Sequence, residues 1–193
     1  MNALENWFCS TAFWRRATQQ DLLPWMISGA SLGDHVLELG SGPGAATEEL
    51  RRRAPRVISL EYSHGFAANL AARPLAGNGC VLQGDAAALP FASESFSSAI
   101  AVLVFHHLRS SEQQQCAFRE VFRVLRPGGI FFGVEITDGW LQRAVHWRST
   151  FVAINPTTIS DHLAAAGFSQ INVDFRPGVF SFRAVRPTEP NIE

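Results

Sequence analysis

The chain contains no lysine: all 16 of its basic residues, in a length of 193, are arginine. That absence reads as codon usage more than chemistry, yet it excludes a lysine Schiff base or a lysine general base. Cysteine is sparse and scattered. Cys9, Cys80 and Cys116 are odd in number and lack metal-ligand spacing, which argues against a disulfide framework or a zinc site, and no metal is expected. Long apolar runs are missing as well, none approaching the ~18–20 residues that a membrane span requires. The start, Met1–Trp14, has no basic segment and carries Glu5, so it does not read as a secretion signal, and a cytoplasmic location is expected. An excess of charge is absent too. The formal net charge is −1, which argues against a chain whose main task is gripping nucleic acid. The one dense basic run, Arg51-Arg52-Arg53, closes a helix whose first turn holds Glu48 and Glu49, as a helix dipole favours, and it is expected to be a solvated helix end.

What is present suits one domain with a full core over residues 1–193, with disorder expected only in the tail 187–193. Strand-like and helix-like segments alternate from about residue 35 to 138, the pattern of βαβ units around a parallel sheet. The strands read as 35–39, 57–61, 80–84, 98–105 and 130–136, the fourth apolar on both faces and therefore central. Helices read at 45–54 and 65–72. A stronger one starts at a capping box of Ser111 and Gln114, carries the stripe Phe118, Val121, Phe122, Leu125 and stops at Pro127-Gly128-Gly129. After a short helix over 158–166, the runs 171–175 and 179–185 flank Arg176-Pro177-Gly178, a hairpin signal that closes the sheet with an antiparallel strand.

The most specific stretch is Val36-Leu37-Glu38-Leu39-Gly40-Ser41-Gly42-Pro43-Gly44. A buried strand that breaks into a glycine turn and re-enters a helix lets a ligand approach bare backbone, with N–H groups and the positive helix end aimed at it. Glu61 lies about 20 residues on, at the end of the second strand, where an acidic residue binds ribose hydroxyls in a dinucleotide site. Asp85 ends the third strand, ahead of Leu89-Pro90-Phe91 and Ser95-Phe96. A carboxylate there can accept from an exocyclic amine such as that of adenine.

Taken in order, Val36–Thr47, Glu61, Gly84–Phe96, His106-His107-Leu108 and Phe118–Gly129 resemble the class I S-adenosylmethionine-dependent methyltransferases, and among them the small-molecule enzymes of ubiquinone and menaquinone biosynthesis. The resemblance implies an α/β fold with a Rossmann-like, seven-stranded, mostly parallel sheet, an antiparallel last strand and helices on both faces. It implies S-adenosylmethionine as cofactor and S-adenosylhomocysteine as product. By position, Gly40, Ser41, Gly42 and Gly44 form the loop beside the methionyl and ribose parts, and Glu38 is the acidic residue at its base. Glu61 takes the ribose hydroxyls with Tyr62 beside the adenine, Asp85 and Ala86 take the adenine edge, and the backbone near Ala101–Val102 receives the methionyl ammonium. One position departs from the family pattern. Ser97 stands where the family usually has Asp, and a lost structural hydrogen bond is expected there.

A sulfonium methyl is already electrophilic, so such an enzyme chiefly holds its nucleophile in line and excludes water. His106 and His107 are the candidates for a base or an orienting group, and shaping the loop is the competing role. Adjacent residues at a strand end point to opposite sides, so at most one is expected to face the methyl. His146 is a weaker candidate, and His35, His64 and His162 read as surface or helix-end residues. Residues 1–29 read as an N-terminal helical lid, 30–138 as the cofactor half, 139–156 as a helical insert and 157–186 as terminal helix and hairpin. The lid and insert either cap the sheet or roof a pocket lined by Trp7, Trp14, Trp140, Trp147 and Phe151, with Arg15, Arg16, Arg143 and Arg148 on the solvent side. An aromatic pocket suits a small, largely apolar methyl acceptor. Two other classes stay open: a methyltransferase-like adaptor without turnover, against which the intact glycines, Glu61 and Asp85 count, and a nicotinamide-dependent oxidoreductase, against which Asp85 and the terminal hairpin count.

Overall fold

A computed structural model describes residues 2–74 and 79–188. The last five positions of the tail expected to be disordered lie outside the described residues. The strands are β1 (His35–Leu39), β2 (Arg56–Glu61), β3 (Gly79–Gln83), β4 (Phe96–Val102), β5 (Leu125–Ile136), β6 (Ser169–Arg176) and β7 (Val179–Val185). They form one seven-stranded sheet in the order β3-β2-β1-β4-β5-β7-β6. β7 runs antiparallel to both of its neighbours and the other pairings are parallel, as the Pro-Gly hairpin predicts.

The helices are α1 (Ala3–Cys9), α2 (Ala12–Ala17), α3 (Leu23–Ile27), α4 (Thr47–Arg53), α5 (His64–Ala71), α6 (Ser111–Val124), α7 (Trp140–Val145) and α8 (Ile159–Ala165), with a π-helical turn over Thr18–Leu22. Alternation along the central strands divides the core between the two sheet faces. Leu37, Leu39, Ala99, Ala101 and Phe131 join one cluster under α6 and α8. Val36, Ile100, Phe132 and Val134 join another, closed by Leu23, Met26 and Ile27 of α3. The stretch read as a lid over 1–29 is therefore two things: α3 belongs to the core, and only the helices before it overhang the sheet.

Several expected boundaries move for local reasons. The cap of α6 is Ser110, whose side chain accepts from Gln113 N at 3.3 Å. Gln114, expected in the capping box, is buried and donates to the carbonyls of Phe105 and Val152 instead. Pro127-Gly128-Gly129 does not separate α6 from the fifth strand. Gly128 N donates to Arg186 O and Arg186 N donates to Gly129 O, so β5 begins at Leu125. β4 ends three residues early because Leu103 turns the chain with φ +56°, and Phe105–His107 form a 3-10 turn. The basic run also divides. Arg52 and Arg53 pair with Glu49 at the surface, whereas Arg51 is 7% exposed. Ser97, expected to lose a bond, has its own set: its hydroxyl contacts Leu32 O and His35 O at 2.9 Å and accepts from His35 N. His35 is no surface residue either; it is half-buried, its ring 4.5 Å from that of Phe96. Among the described residues, no helix is long and apolar enough to cross a membrane.

Candidate active site

The sheet order reverses between β1 and β4, and a ligand crevice is expected outside the carboxyl ends of the strands at such a point. A cavity of about 580 Å³ opens there. Its floor is made of strand ends: Leu39 and Gly40 after β1, Glu61 after β2, Gly84–Ala86 after β3, Val102–Val104 after β4 and Ile136 after β5. The φ of Gly40 is +61° and a Cβ on it would lie 2.6 Å from Val104 Cγ2, so the loop passes too close to the next strand end for a side chain. Gly42 has φ +51°, with nothing within 4 Å of where a Cβ would project. The loop tip therefore presents open backbone.

Carboxylates hold this floor in place. Glu61 accepts from Gly42 N and Ser63 N, both at 2.8 Å, which ties the glycine loop to the end of β2. Asp85 Oδ1 accepts from Ala87 N at 2.8 Å. Glu38 is 3% exposed beneath the loop and accepts from the Thr47 and Ser59 hydroxyls. Burial pushes its carboxyl up to about 7, against the lowering effect of those hydroxyls and of the Arg51 charge.

The roof comes from two distant segments. Glu5, Asn6, Phe8, Cys9, Trp14 and Thr18 line it from the N-terminal helices, and Leu141, Gln142, Val145, His146 and Thr150 from the insert. Asn2 joins them. It caps α1, accepting from Glu5 N, and its amide donates to Val145 O at 2.9 Å and Trp147 O at 3.0 Å. Glu5, buried, accepts from Asn2 N and from the Ser149 hydroxyl. Burial raises the Cys9 thiol to about 11.

Both histidines after β4 line the cavity, since the 3-10 turn, unlike a strand, does not send neighbours to opposite sides. Their ring centroids are 4.1 Å apart, and His146 lies 5.1 Å and 5.5 Å from them. His106 Nδ1 meets Glu135 Oε2 at 2.7 Å, both residues buried, while Glu135 Oε1 accepts from Val104 N and Phe105 N. Burial, with the neighbouring His106 and His146, lowers His107 to about 3, so it is neutral at physiological pH.

Of the expected cofactor residues, Glu38, Gly40, Ser41, Gly42, Glu61, Tyr62, Asp85, Ala86 and Val102 line the cavity. Two do not. Ala101 is fully buried in the sheet, and Gly44 abuts Leu70, 2.5 Å from where its Cβ would stand. Of the aromatic roof, Trp14 lines the cavity, but Trp7, Trp140 and Trp147 are 66%, 81% and 74% exposed and lie outside it. Phe151 supports the site from behind, its ring stacked on His146 at 4.6 Å. Arg15, Arg16, Arg143 and Arg148 do not reach the cavity. Sequence reasoning missed Glu135 and Glu5. Glu135 had a readable signal: it is the lone charge in the apolar run 130–136, as Glu38 is in β1.

Residues 37–133, just over half of the chain, match the family model described as a methyltransferase domain. This chain belongs to the methyltransferase domain family. It is the class I, S-adenosylmethionine-dependent group that the motifs resemble. A demethylmenaquinone methyltransferase of Mycolicibacterium paratuberculosis is 36% identical over 117 residues, which are 61% of this chain and 45% of that protein. One from Mycolicibacterium vanbaalenii is 36% identical over 155 residues, 75% of this chain and 62% of that protein. The matched part of this chain thus spans 45% and 62% of the length of these relatives. In fold it is similar to the N-methyltransferase NodS of Bradyrhizobium japonicum, solved with S-adenosylhomocysteine, at TM-score 0.75 and 20% identity, covering 94% of this chain and 91% of that one. It is likewise similar to a methyltransferase complexed with the Haloferax volcanii Trm112 activator, at TM-score 0.75 and 19% identity, covering 97% and 95%.

Proposed function

We propose that this chain binds S-adenosylmethionine on the floor of the cavity and transfers its methyl group to a small organic acceptor held under the roof. The observation that carries the reading is the convergence of an open glycine loop and two strand-end carboxylates on one cavity whose polar atoms are not all satisfied. Ser41 Oγ, Thr18 Oγ1, Asn6 Oδ1 and His107 Nδ1 are buried, belong to lining residues and have no hydrogen-bond partner among the described residues. Buried polar atoms are as a rule paired with protein, water or a bound group.

S-adenosylmethionine supplies an electrophilic sulfonium methyl. Glu61 and Asp85 would take its ribose hydroxyls and adenine edge, with Tyr62 beside the base and the Gly40–Gly42 backbone beside the methionyl part. The roof helices exclude water and fix the acceptor in line. Glu135 meets His106 at Nδ1, so the carboxylate orients this ring and its other nitrogen, Nε2, is left on the acceptor side. The lining mixes Phe8, Trp14, Leu141 and Val145 with the histidines, so the acceptor has an apolar body and at least one polar group. The curated relatives are named for demethylmenaquinone, an acceptor that supports this reading. The chain is read as acting on small molecules and not on nucleic acid, in the cytoplasm.

Calorimetric titration with S-adenosylhomocysteine tests the placement. Glu61→Ala and Asp85→Ala are each expected to weaken binding by about 1.5–3 kcal/mol, the size of a charge-assisted hydrogen bond. NAD(H) should give no heat. Unchanged affinity in both variants would remove the cofactor from this floor.

A further inference from the structure

We propose that His106, His107 and His146 form a three-nitrogen site for a divalent first-row metal ion, zinc or one of its neighbours, on the acceptor side of the cavity. One ring nitrogen from each residue lies within 4.8 Å of one from each of the others. The hydrogen bonds around the rings decide which nitrogens are left over. Glu135 can only accept, so Nδ1 of His106 carries the proton and Nε2 the lone pair. Gln142 O accepts from Nδ1 of His146 at 2.6 Å, leaving Nε2 of that ring. The buried Nδ1 of His107 has no hydrogen-bond partner among the described residues, so that nitrogen is left as well.

The rings of His106 and His146 thus each have one nitrogen fixed by a carboxylate or carbonyl and the other left over, and His107 adds an unpartnered one. That is the support a metal-binding histidine receives from its surroundings. Three lone pairs converging in a buried space repel one another and gain from a cation between them. Negative charge is supplied from two sides: Glu135 behind His106, and Glu5, whose Oε1 is 3.8 Å from His146 Nε2. A tetrahedral ion with Zn–N bonds of about 2.0–2.1 Å needs its nitrogens ~3.4 Å apart, so the rings close inward by an ångström or so on loading. His146 sits at the C-terminal end of the short helix α7, while His106 is tied to the sheet through Glu135.

The sequence hides such a site because His146 is 39 positions from His107 and the spacing matches no metal motif. The site rests on the acceptor half of the function proposed above. Its test reads the metal and the cofactor separately. Full-length protein stripped with a chelator and titrated with Co2+ is expected to take up one ion per chain, with the visible bands of a low-coordinate nitrogen site that Zn2+ then abolishes. His107→Gln and His146→Gln should lose the bands, and Glu135→Gln should weaken Co2+ binding about 10–100-fold by releasing His106. In the two histidine variants S-adenosylhomocysteine affinity should stay within about twofold, because Glu61 and Asp85, read as its partners, lie elsewhere on the floor. Should a variant fail to fold, Zn2+ shielding of His146 from diethylpyrocarbonate in the unaltered protein reads the same site. Absence of Co2+ uptake, bands that survive both histidine substitutions, or equal modification with and without Zn2+ would overturn it. Loss of S-adenosylhomocysteine binding in the unaltered protein, with Co2+ uptake intact, would overturn the cofactor reading alone.

Discussion

The floor and the roof of the cavity are built on different physics. The floor is the carboxyl edge of a seven-stranded sheet, whose central strands β1 and β4 are buried on both faces and whose edge strand β3 carries Asp85 just beyond its end. The roof is two short helical segments joined through Asn2 and Glu5, with Trp7, Trp140 and Trp147 turned outward. The floor's geometry is thus set by the global fold, and the roof's by a few local bonds. A binding edge that cannot move and a cover that can is the division expected where one ligand must be held and another admitted.

Substitutions on the two sides should therefore differ in kind. The largest effect belongs under the floor. Phe131 is fully buried with its ring against those of Phe105, Phe168 and Phe182, and Phe131→Ala is expected to cost about 3–5 kcal/mol in denaturant unfolding, with every probe shifting together. A shift under about 1 kcal/mol would mean the sheet core does not set the floor.

Glu38 gives the next effect, through pH. Its carboxyl is raised to about 7 by burial, so the folded chain holds that proton more tightly than the unfolded one. The stabilisation is present in full below the ordinary value of 4.5 and is lost as pH rises through about 7. The loss amounts to about 3 kcal/mol at most. Unfolding curves at pH 5 and pH 8 should show a gap between these two conditions that narrows in Glu38→Gln, and an unaltered gap would contradict the assignment.

On the roof, Asn2→Ala removes a helix cap and both bonds to the insert. It is expected to cost about 1 kcal/mol and to speed amide exchange in α1 and α7 while leaving the sheet untouched. Smallest of all, Trp140→Ala and Trp147→Ala should stay within about 0.5 kcal/mol of the unaltered protein, because neither side chain packs into the cavity. A loss of several-fold in turnover from either one would restore it to the roof.

The same contrast explains what could be read in the sequence. The places of Glu61, Asp85 and the glycine loop in the cavity were legible because they follow from strand ends, and a period-two apolar run locates a strand end. The hairpin's Pro177-Gly178 likewise foretold the reversed β7. The roof was not legible, because aromatic content does not say which face of a short helix turns inward. Phe8 and Trp14 line the cavity while Trp7 does not, though all three belong to one aromatic-rich segment. The histidine trio needed a tertiary contact between His107 and His146 that no local pattern encodes. Glu135 stood in plain view as a charge inside an apolar strand, the signal that was followed at Glu38.

Amide exchange with and without S-adenosylhomocysteine tests most directly whether floor and roof enclose one cofactor-binding cavity. The account predicts slowed exchange at 40–46, 61–66 and 84–88, all on the floor, together with 6–18 on the roof, and no change in β6 and β7. Protection confined to the hairpin strands, or none at any floor position, would contradict it.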